Sequence, residues 1–319
     1  MEQGSAPQSP RTRPGPSAAE AIRERLAQGP ALCLDGATGT ELERRGHAAG
    51  LPLWSTHALL DAPEVLAEIH ADYARAGAEI LTANTFRTQR RTLERGAAER
   101  PGLGERDADL TAQAVSLARR GAAAGHRPIW VAGSAPPLED CYRPDRVPGD
   151  RALRREHARH MENLAAAGVD LVLVESMNSI REAVAACRAA RDHGLPSLVS
   201  FIVWEGGQLL SGESLEAATD RVASETPLAI LVNCLPPSAV SACLPILGGC
   251  GLDFGVYANL GAPDTAGGFE RSEACGPGEW ADHVAEWLAA GARIVGGCCG
   301  TTPSHVAAMA EVTRSAWRG

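Results

Sequence analysis

Arg293-Ile294-Val295-Gly296-Gly297-Cys298-Cys299-Gly300-Thr301-Thr302-Pro303 reads as a short apolar strand, a glycine-rich turn with two adjacent thiols, and the opening of a helix. The same order of strand then helix recurs upstream. Short apolar runs at 31–35, 79–84, 128–134, 170–175, 197–202, 228–233 and 253–259 join 293–297 to make eight strand candidates. Their brevity and near-continuous apolarity suit parallel strands buried on both faces. Between them, segments such as 63–76, 151–167, 280–290 and 303–317 space apolar residues at helical intervals. Such alternation predicts parallel strands joined by crossover helices. A count of eight with no break in composition predicts one α/β domain, a (β/α)8 barrel of the TIM type over 31–319, rather than two doubly wound domains. The connections at 35–63, 135–150 and 260–278 are long, and each follows a strand. They gather on the face formed by the strands' C-terminal ends, where such barrels carry their active sites. Residues 1–30, rich in Pro, Ser, Gly, Arg and Gln with one short helix-like run at 18–27, are expected to be a flexible tail.

The 319 residues carry 30 basic and 39 acidic groups, a formal net charge of -9. That balance offers no general attraction to nucleic acid or to an anionic membrane surface. No apolar run approaches the roughly 20 residues of a membrane helix, and the N-terminus lacks the apolar stretch of a secretory signal. A cytoplasmic protein with small-molecule partners is expected, its oligomeric state left open. Every basic residue is an arginine. Without a lysine amine the chain cannot run Schiff-base chemistry, anchor pyridoxal phosphate or build a standard P-loop. Nine cysteines in a reducing compartment are expected to be buried, catalytic or metal-bound rather than paired as disulfides.

Cys298 and Cys299 are too close along the chain for an unstrained disulfide, since adjacent Cα atoms are about 3.8 Å apart. The flanking glycines free the backbone enough to turn both side chains toward one ion, which a regular strand forbids. Cys234, in Val232-Asn233-Cys234, follows the sixth strand and shares the same rim. Three thiolates leave one tetrahedral position open, the arrangement of a catalytic rather than a closed structural site, and soft sulfur favours Zn2+ over magnesium or calcium. Any single cysteine reads more readily as a small buried hydrophobe. The pair together with Cys234 turns the reading toward a metal.

Asp35 opens the glycine-rich turn Asp35-Gly36-Ala37-Thr38-Gly39-Thr40-Glu41-Leu42 after the first strand, and Glu175 ends the fourth. Both carboxylates sit where they could hold an amino group; the turn reads equally as a tight turn or a phosphate cradle. Asn84 and Thr85 after the second strand, Ser134 after the third, and Tyr257 and Asn259 on the seventh are candidate pocket walls. His70, His157, His160 and His283 fall on helical segments, where a solvated face is expected, and no histidine is assigned to the metal. Cys141 and Cys275 lie on rim loops, without thiol partners nearby in sequence.

From 31 to 310 the chain resembles the homocysteine S-methyltransferases. The resemblance is carried by Asp35 through Leu42 with Arg45-Gly46, Leu53-Trp54-Ser55, His70-Ala71-Asp72-Tyr73 with Ala76-Gly77-Ala78, Asn84-Thr85-Phe86, Glu175, Val232-Asn233-Cys234 and Gly296 through Thr301. It implies zinc on Cys234, Cys298 and Cys299, homocysteine's amino acid end near Asp35, Gly36 and Glu175, and methionine as product. The chain departs from the family pattern at Ala135-Pro136-Pro137 and at Met177 after Ser176, positions that bear on substrate choice. Betaine as donor would favour an aromatic cage, which an aromatic content of 4% makes hard to assign. The expected donor is S-methylmethionine or S-adenosylmethionine. Rival readings are a different thiol or selenol acceptor, a zinc-binding or thiol-sensing barrel without catalysis, and a metal-dependent aldolase or hydrolase, which would want histidine and carboxylate ligands instead.

Overall fold

A computed structural model describes residues 16–47, 50–98, 100–203, 205–263, 269–271 and 275–318. Its main sheet is built from β1 (Leu32–Cys33), β2 (Ile80–Ala83), β3 (Trp130–Ala135), β4 (Leu171–Met177), β5 (Ser197–Ile202), β6 (Ala229–Asn233), β7 (Phe254–Ala258) and β10 (Ile294–Gly297). A two-stranded antiparallel pair, β8 (Gly261–Pro263) and β9 (Phe269–Arg271), lies between β7 and β10 in the chain. The eight strands run parallel in the order β1-β10-β7-β6-β5-β4-β3-β2. A parallel bridge from Leu34 to Ile80, with Glu79 N–H donating to Cys33 O at 2.8 Å, brings the two ends of the sheet together. The result is an α/β barrel of the TIM type, and the two-domain alternative falls away.

The pleat sorts each strand between two cores. Outward residues such as Val172, Val174, Val199, Ile230 and Val232 pack under the helices with Leu66, Ile69, Leu110 and Leu164. Inward residues, among them Leu34, Ile80, Leu171, Leu173, Leu198, Leu231 and Ile294, fill the barrel. Each fully buried aliphatic side chain contributes about 1.5–3 kcal/mol. The helices expected from spacing are present as Pro63–Ala76, Asp150–Ala167, Pro277–Ala289 and Pro303–Arg318. Three of the four start on a proline, whose missing N–H costs nothing at a first helical position.

Two expectations change. Part of the stretch read as a tail belongs to the fold: Ser17 caps a helix at Ala18–Gln28, and its Ile22 and Leu26 are buried in the barrel's inner cluster. Arg25 ties this helix to Glu79 through a bidentate ion pair at 2.8–2.9 Å. Residues 1–15 of the expected tail lie outside the described residues. The histidines at 70, 157 and 160 are buried rather than solvated, because their helices turn those faces inward. Desolvation pushes His70 and His160 down to about 4, so both are neutral. Among the described residues no helix is long and apolar enough to cross a membrane.

Candidate metal and substrate site

On β3, β4, β5 and β6 the inward side chain changes from Ala132, Leu173, Leu198 and Leu231 to Ser134, Glu175, Ser200 and Asn233 two residues later. Two residues is one pleat repeat, so a polar layer stands directly above the apolar one. It opens into a cavity of about 990 Å³ at the strands' C-terminal ends. Three residues of the cavity wall, Trp54, Ser176 and Cys234, have positive φ of 48°, 58° and 56°. This left-handed conformation is uncommon for a residue with a Cβ and persists where the surroundings enforce it. At Cys234 it sets aside the strand's alternation. Instead of pointing to opposite faces, neighbouring Asn233 and Cys234 meet, with Asn233 Nδ2 donating to Cys234 Sγ at 3.2 Å.

Cys234 Sγ and Cys298 Sγ stand 3.3 Å apart, and Cys299 shares the same wall. The turn presenting Cys298 and Cys299 ends on Gly300, at φ 87°, where a Cβ would collide with the Leu260 carbonyl oxygen. Hydrogen bonds from the Cys234 and Cys299 thiols hold Cys298 well below the ordinary thiol range. The same contacts, added to burial, hold Cys234 and Cys299 well above it. One negative charge is thus accommodated by three sulfurs, and three thiolates together call for a cation. Sulfurs bound about 2.3 Å from a tetrahedral zinc lie about 3.8 Å apart, so the donor pair fits such an ion after opening by about 0.5 Å. Asn233 Nδ2 also donates to Ser176 Oγ at 2.8 Å, and its Oδ1 accepts from Ser200 Oγ at 2.7 Å, which orients the amide behind Cys234.

Asp35 accepts from Thr82 N–H at 2.7 Å and from Thr82 Oγ1 at 2.9 Å. Glu175 accepts from the Ser134 hydroxyl and, at 3.4 Å, from Tyr257. Burial dominates both carboxyls, raising Asp35 to about 7 and Glu175 to about 8 against the pull of these hydrogen bonds. A cationic group entering the cavity would restore their charge. Gly36 brings its backbone against Tyr73, whose ring a Cβ would approach to 2.7 Å; the Tyr73 hydroxyl in turn donates to Ala37 O at 2.7 Å.

Asp35, Gly36, Asn84, Ser134, Glu175, Tyr257 and the three cysteines all line the cavity, as the sequence suggested. Thr85 and Asn259 do not. Thr85 is fully buried and donates to Ser134 O at 2.8 Å, and Asn259 spends its backbone N–H on Leu235 O at 2.9 Å. Phe86, next to the Asn84-Thr85 candidates, and Cys141 of the rim loop also line the cavity, and Trp54, Arg87 and Tyr142 do so without having been singled out for it. Their signal was weak, since they lie on loops beyond the strand ends. Asn233 and Ser200 were readable from the two-residue period. Away from the cavity, Cys275, Glu279 and His283 place a sulfur, a carboxylate oxygen and a ring nitrogen within 4.8 Å of one another at the start of the helix Pro277–Ala289.

Known proteins resemble the chain over nearly its whole length. The model of the homocysteine S-methyltransferase family matches residues 32–313. Homocysteine S-methyltransferase of Escherichia coli K12 is 32% identical over 307 residues, covering 90% of this chain and 97% of that protein. Selenocysteine Se-methyltransferase of Brassica oleracea var. italica is 29% identical, covering 86% of this chain and 87% of that one. The metallated crystal form of the E. coli homocysteine methyltransferase MmuM superposes with a TM-score of 0.78 at 30% identity, over 91% of this chain and 99% of that one.

Proposed function

The chain belongs to the homocysteine S-methyltransferase family, and from that premise we propose that it moves a methyl group from S-methylmethionine or S-adenosylmethionine to the thiol of homocysteine, giving methionine, with Zn2+ held by Cys234, Cys298 and Cys299. The reading is carried by one observation: Cys234 and Cys298 meet at 3.3 Å in a cavity that Cys299 and the buried carboxyls of Asp35 and Glu175 also line. A bound zinc ion supplies the acidity that makes a thiol of ordinary pKa near 8.5 a thiolate at neutral pH.

The chain's own residues do the rest. Asp35 and Glu175, oriented by Thr82 and Ser134, bind the acceptor's ammonium and give up their raised protons as it arrives. Asn233 keeps Cys234 turned into the cavity. Trp54 and Tyr142 place aromatic rings in the wall of the same cavity, where a ring face would attract a positively charged sulfonium. Seating both partners in one cavity and limiting water there lets the methyl group pass in line between sulfurs. Free-thiol chemistry suits a reducing compartment, which supports a cytoplasmic setting.

The test is metal analysis of reduced protein together with methyl transfer to homocysteine from S-methylmethionine, S-adenosylmethionine and betaine. One zinc lost with Cys234→Ala, and turnover from a sulfonium donor, are the expected results. Fully reduced protein without metal would overturn the centre, and turnover from betaine alone would overturn the donor. Selenocysteine belongs in the same assay, because a relative 29% identical is a selenocysteine Se-methyltransferase.

A further inference from the structure

Arg87 lies just beyond β2 and lines the cavity, yet is only 7% exposed. Its Nε has no hydrogen-bond partner, and among the described residues its guanidinium forms no ion pair. What it has is the face of Phe86, 5.3 Å from the guanidinium carbon to the ring centroid. Other arginines near this rim are matched: Arg91 and Arg95 share Glu139, and Arg91 also binds Glu156 at 2.6 Å. The backbone around Arg87 is held in place, with Thr88 bonded to Thr111 at 2.8 Å and Gln89 Nε2 donating to Pro136 O at 2.9 Å. Asp140 lines the same cavity, but among the described residues no carboxylate forms an ion pair with this guanidinium; burying it so is costly, and an aromatic face recovers a minor part of that cost. Its planar donor fork matches a carboxylate.

We propose that Arg87 receives the α-carboxylate of an amino acid substrate in this cavity, either the thiol acceptor's or the sulfonium donor's. The proposal rests on the methyl-transfer reading above and adds a charge to it: Asp35 and Glu175 take an ammonium, and Arg87 takes a carboxylate. Methyl transfer moves neither group, so Arg87 acts in binding and selection rather than on the reacting atoms.

The experiment is calorimetric binding of homocysteine and S-methylmethionine to the full-length metal-loaded protein, each beside its decarboxylated analogue, 3-aminopropanethiol and (3-aminopropyl)dimethylsulfonium. Wild type should bind one of the two amino acids at least tenfold more tightly than its analogue. Arg87→Gln should abolish that preference, weaken the amino acid about tenfold or more, and move the analogue's Kd less than twofold. The amino acid affected identifies which carboxylate Arg87 holds. Arg87→Gln should also keep or raise the wild-type Tm, because it removes a buried charge that has no ion-pair partner among the described residues. Arg87→Lys, which keeps the charge and loses the fork, should fall between the two and serves if the glutamine variant does not fold. Equal weakening of an amino acid and its analogue, or unchanged affinity for both amino acids, would overturn the proposal. Arg87-dependent binding without methyl transfer in wild type would overturn the reaction reading instead, so the two failures are distinguishable.

Discussion

The two ends of the barrel are built on opposite terms. At the floor, Ile22 and Leu26 of the helix Ala18–Gln28 join Leu32, Leu34, Ile80, Leu171 and Ile294 in an apolar cluster. At the mouth, β2 to β6 carry Thr82, Ser134, Glu175, Ser200 and Asn233, with three cysteines and Arg87 above them. The floor is dry and gains stability from its burial, whereas the mouth opens into the cavity of about 990 Å³. The mouth holds carboxyls raised by burial, left-handed backbone at Ser176 and Cys234, and a guanidinium whose Nε has no partner among the described residues. Features that are unfavourable in the free protein and relieved by a ligand belong to function, and the rest of the fold supports them.

The sharpest way to break this contrast is Cys298→Ala. It should remove the metal and lower turnover about a thousandfold or more, the several kcal/mol that a metal centre supplies, while the unfolding midpoint changes little. Wild-type turnover in that variant would abolish the distinction between the two ends. Leu26→Ala is the converse. It should cost about 2–5 kcal/mol in urea unfolding and leave kcat and KM of the folded fraction unchanged; a kinetic defect would mean that floor and mouth are coupled. Asn233→Ala leaves all three thiols in place but removes the amide behind Cys234, and should weaken metal affinity about 10–100-fold in chelator competition. Asp35→Asn should raise the acceptor's KM about tenfold, the loss of a charge-assisted contact, with metal content unaltered.

The smallest effect is a matter of pH. Asp35 goes from an ordinary 3.8 to about 7 in the folded chain, and Glu175 from 4.5 to about 8. Between those values the folded protein keeps protons that the unfolded chain has released. Their contribution is therefore most favourable in acid and is lost as pH rises toward 8. Asp35→Asn and Glu175→Gln should gain stability relative to wild type across that window. His70 and His160 act with the opposite sign: depressed to about 4 from 6.5, they contribute above the higher value and lose that contribution as pH falls through the window. Unfolding free energies from pH 5 to 8 for wild type and the two carboxyl variants separate these trends, and parallel curves would remove the mouth's titration from the comparison.

Much of the barrel was legible because its information is local. The run Leu171-Val172-Leu173-Val174 has no polar member, so only burial on both faces accommodates it, and Pro63 marks a helix start wherever the chain goes next. The cysteines and carboxyls at strand ends were legible for a related reason, since position on a parallel strand also fixes the rim. Thr85 failed as a wall residue because one residue along an extended chain from Asn84 turns a side chain to the opposite side; Asn259 failed because β7 ends at Ala258, so the two-residue period that places Tyr257 in the wall does not extend to it. Arg87 and Trp54 could not be placed by periodicity, since their loops have none. The helix at Ala18–Gln28 was underrated because Ile22 and Leu26 are its only large apolar residues; it is stable through these two, inserted under the barrel.

What the sequence determined by itself was therefore the repeating unit: eight short apolar strands, the helices between them, and the kinds of chemistry its residues permit, with thiols available and amines absent. Only the tertiary structure decided which groups meet. Cys234 and Cys298 are 64 positions apart, and their separation of 3.3 Å follows from β6, β7 and β10 lying side by side in the sheet and from the left-handed turn at Cys234. Proximity across a closed barrel depends on strand register and on side chains packed from every direction, and no local stretch of sequence encodes either.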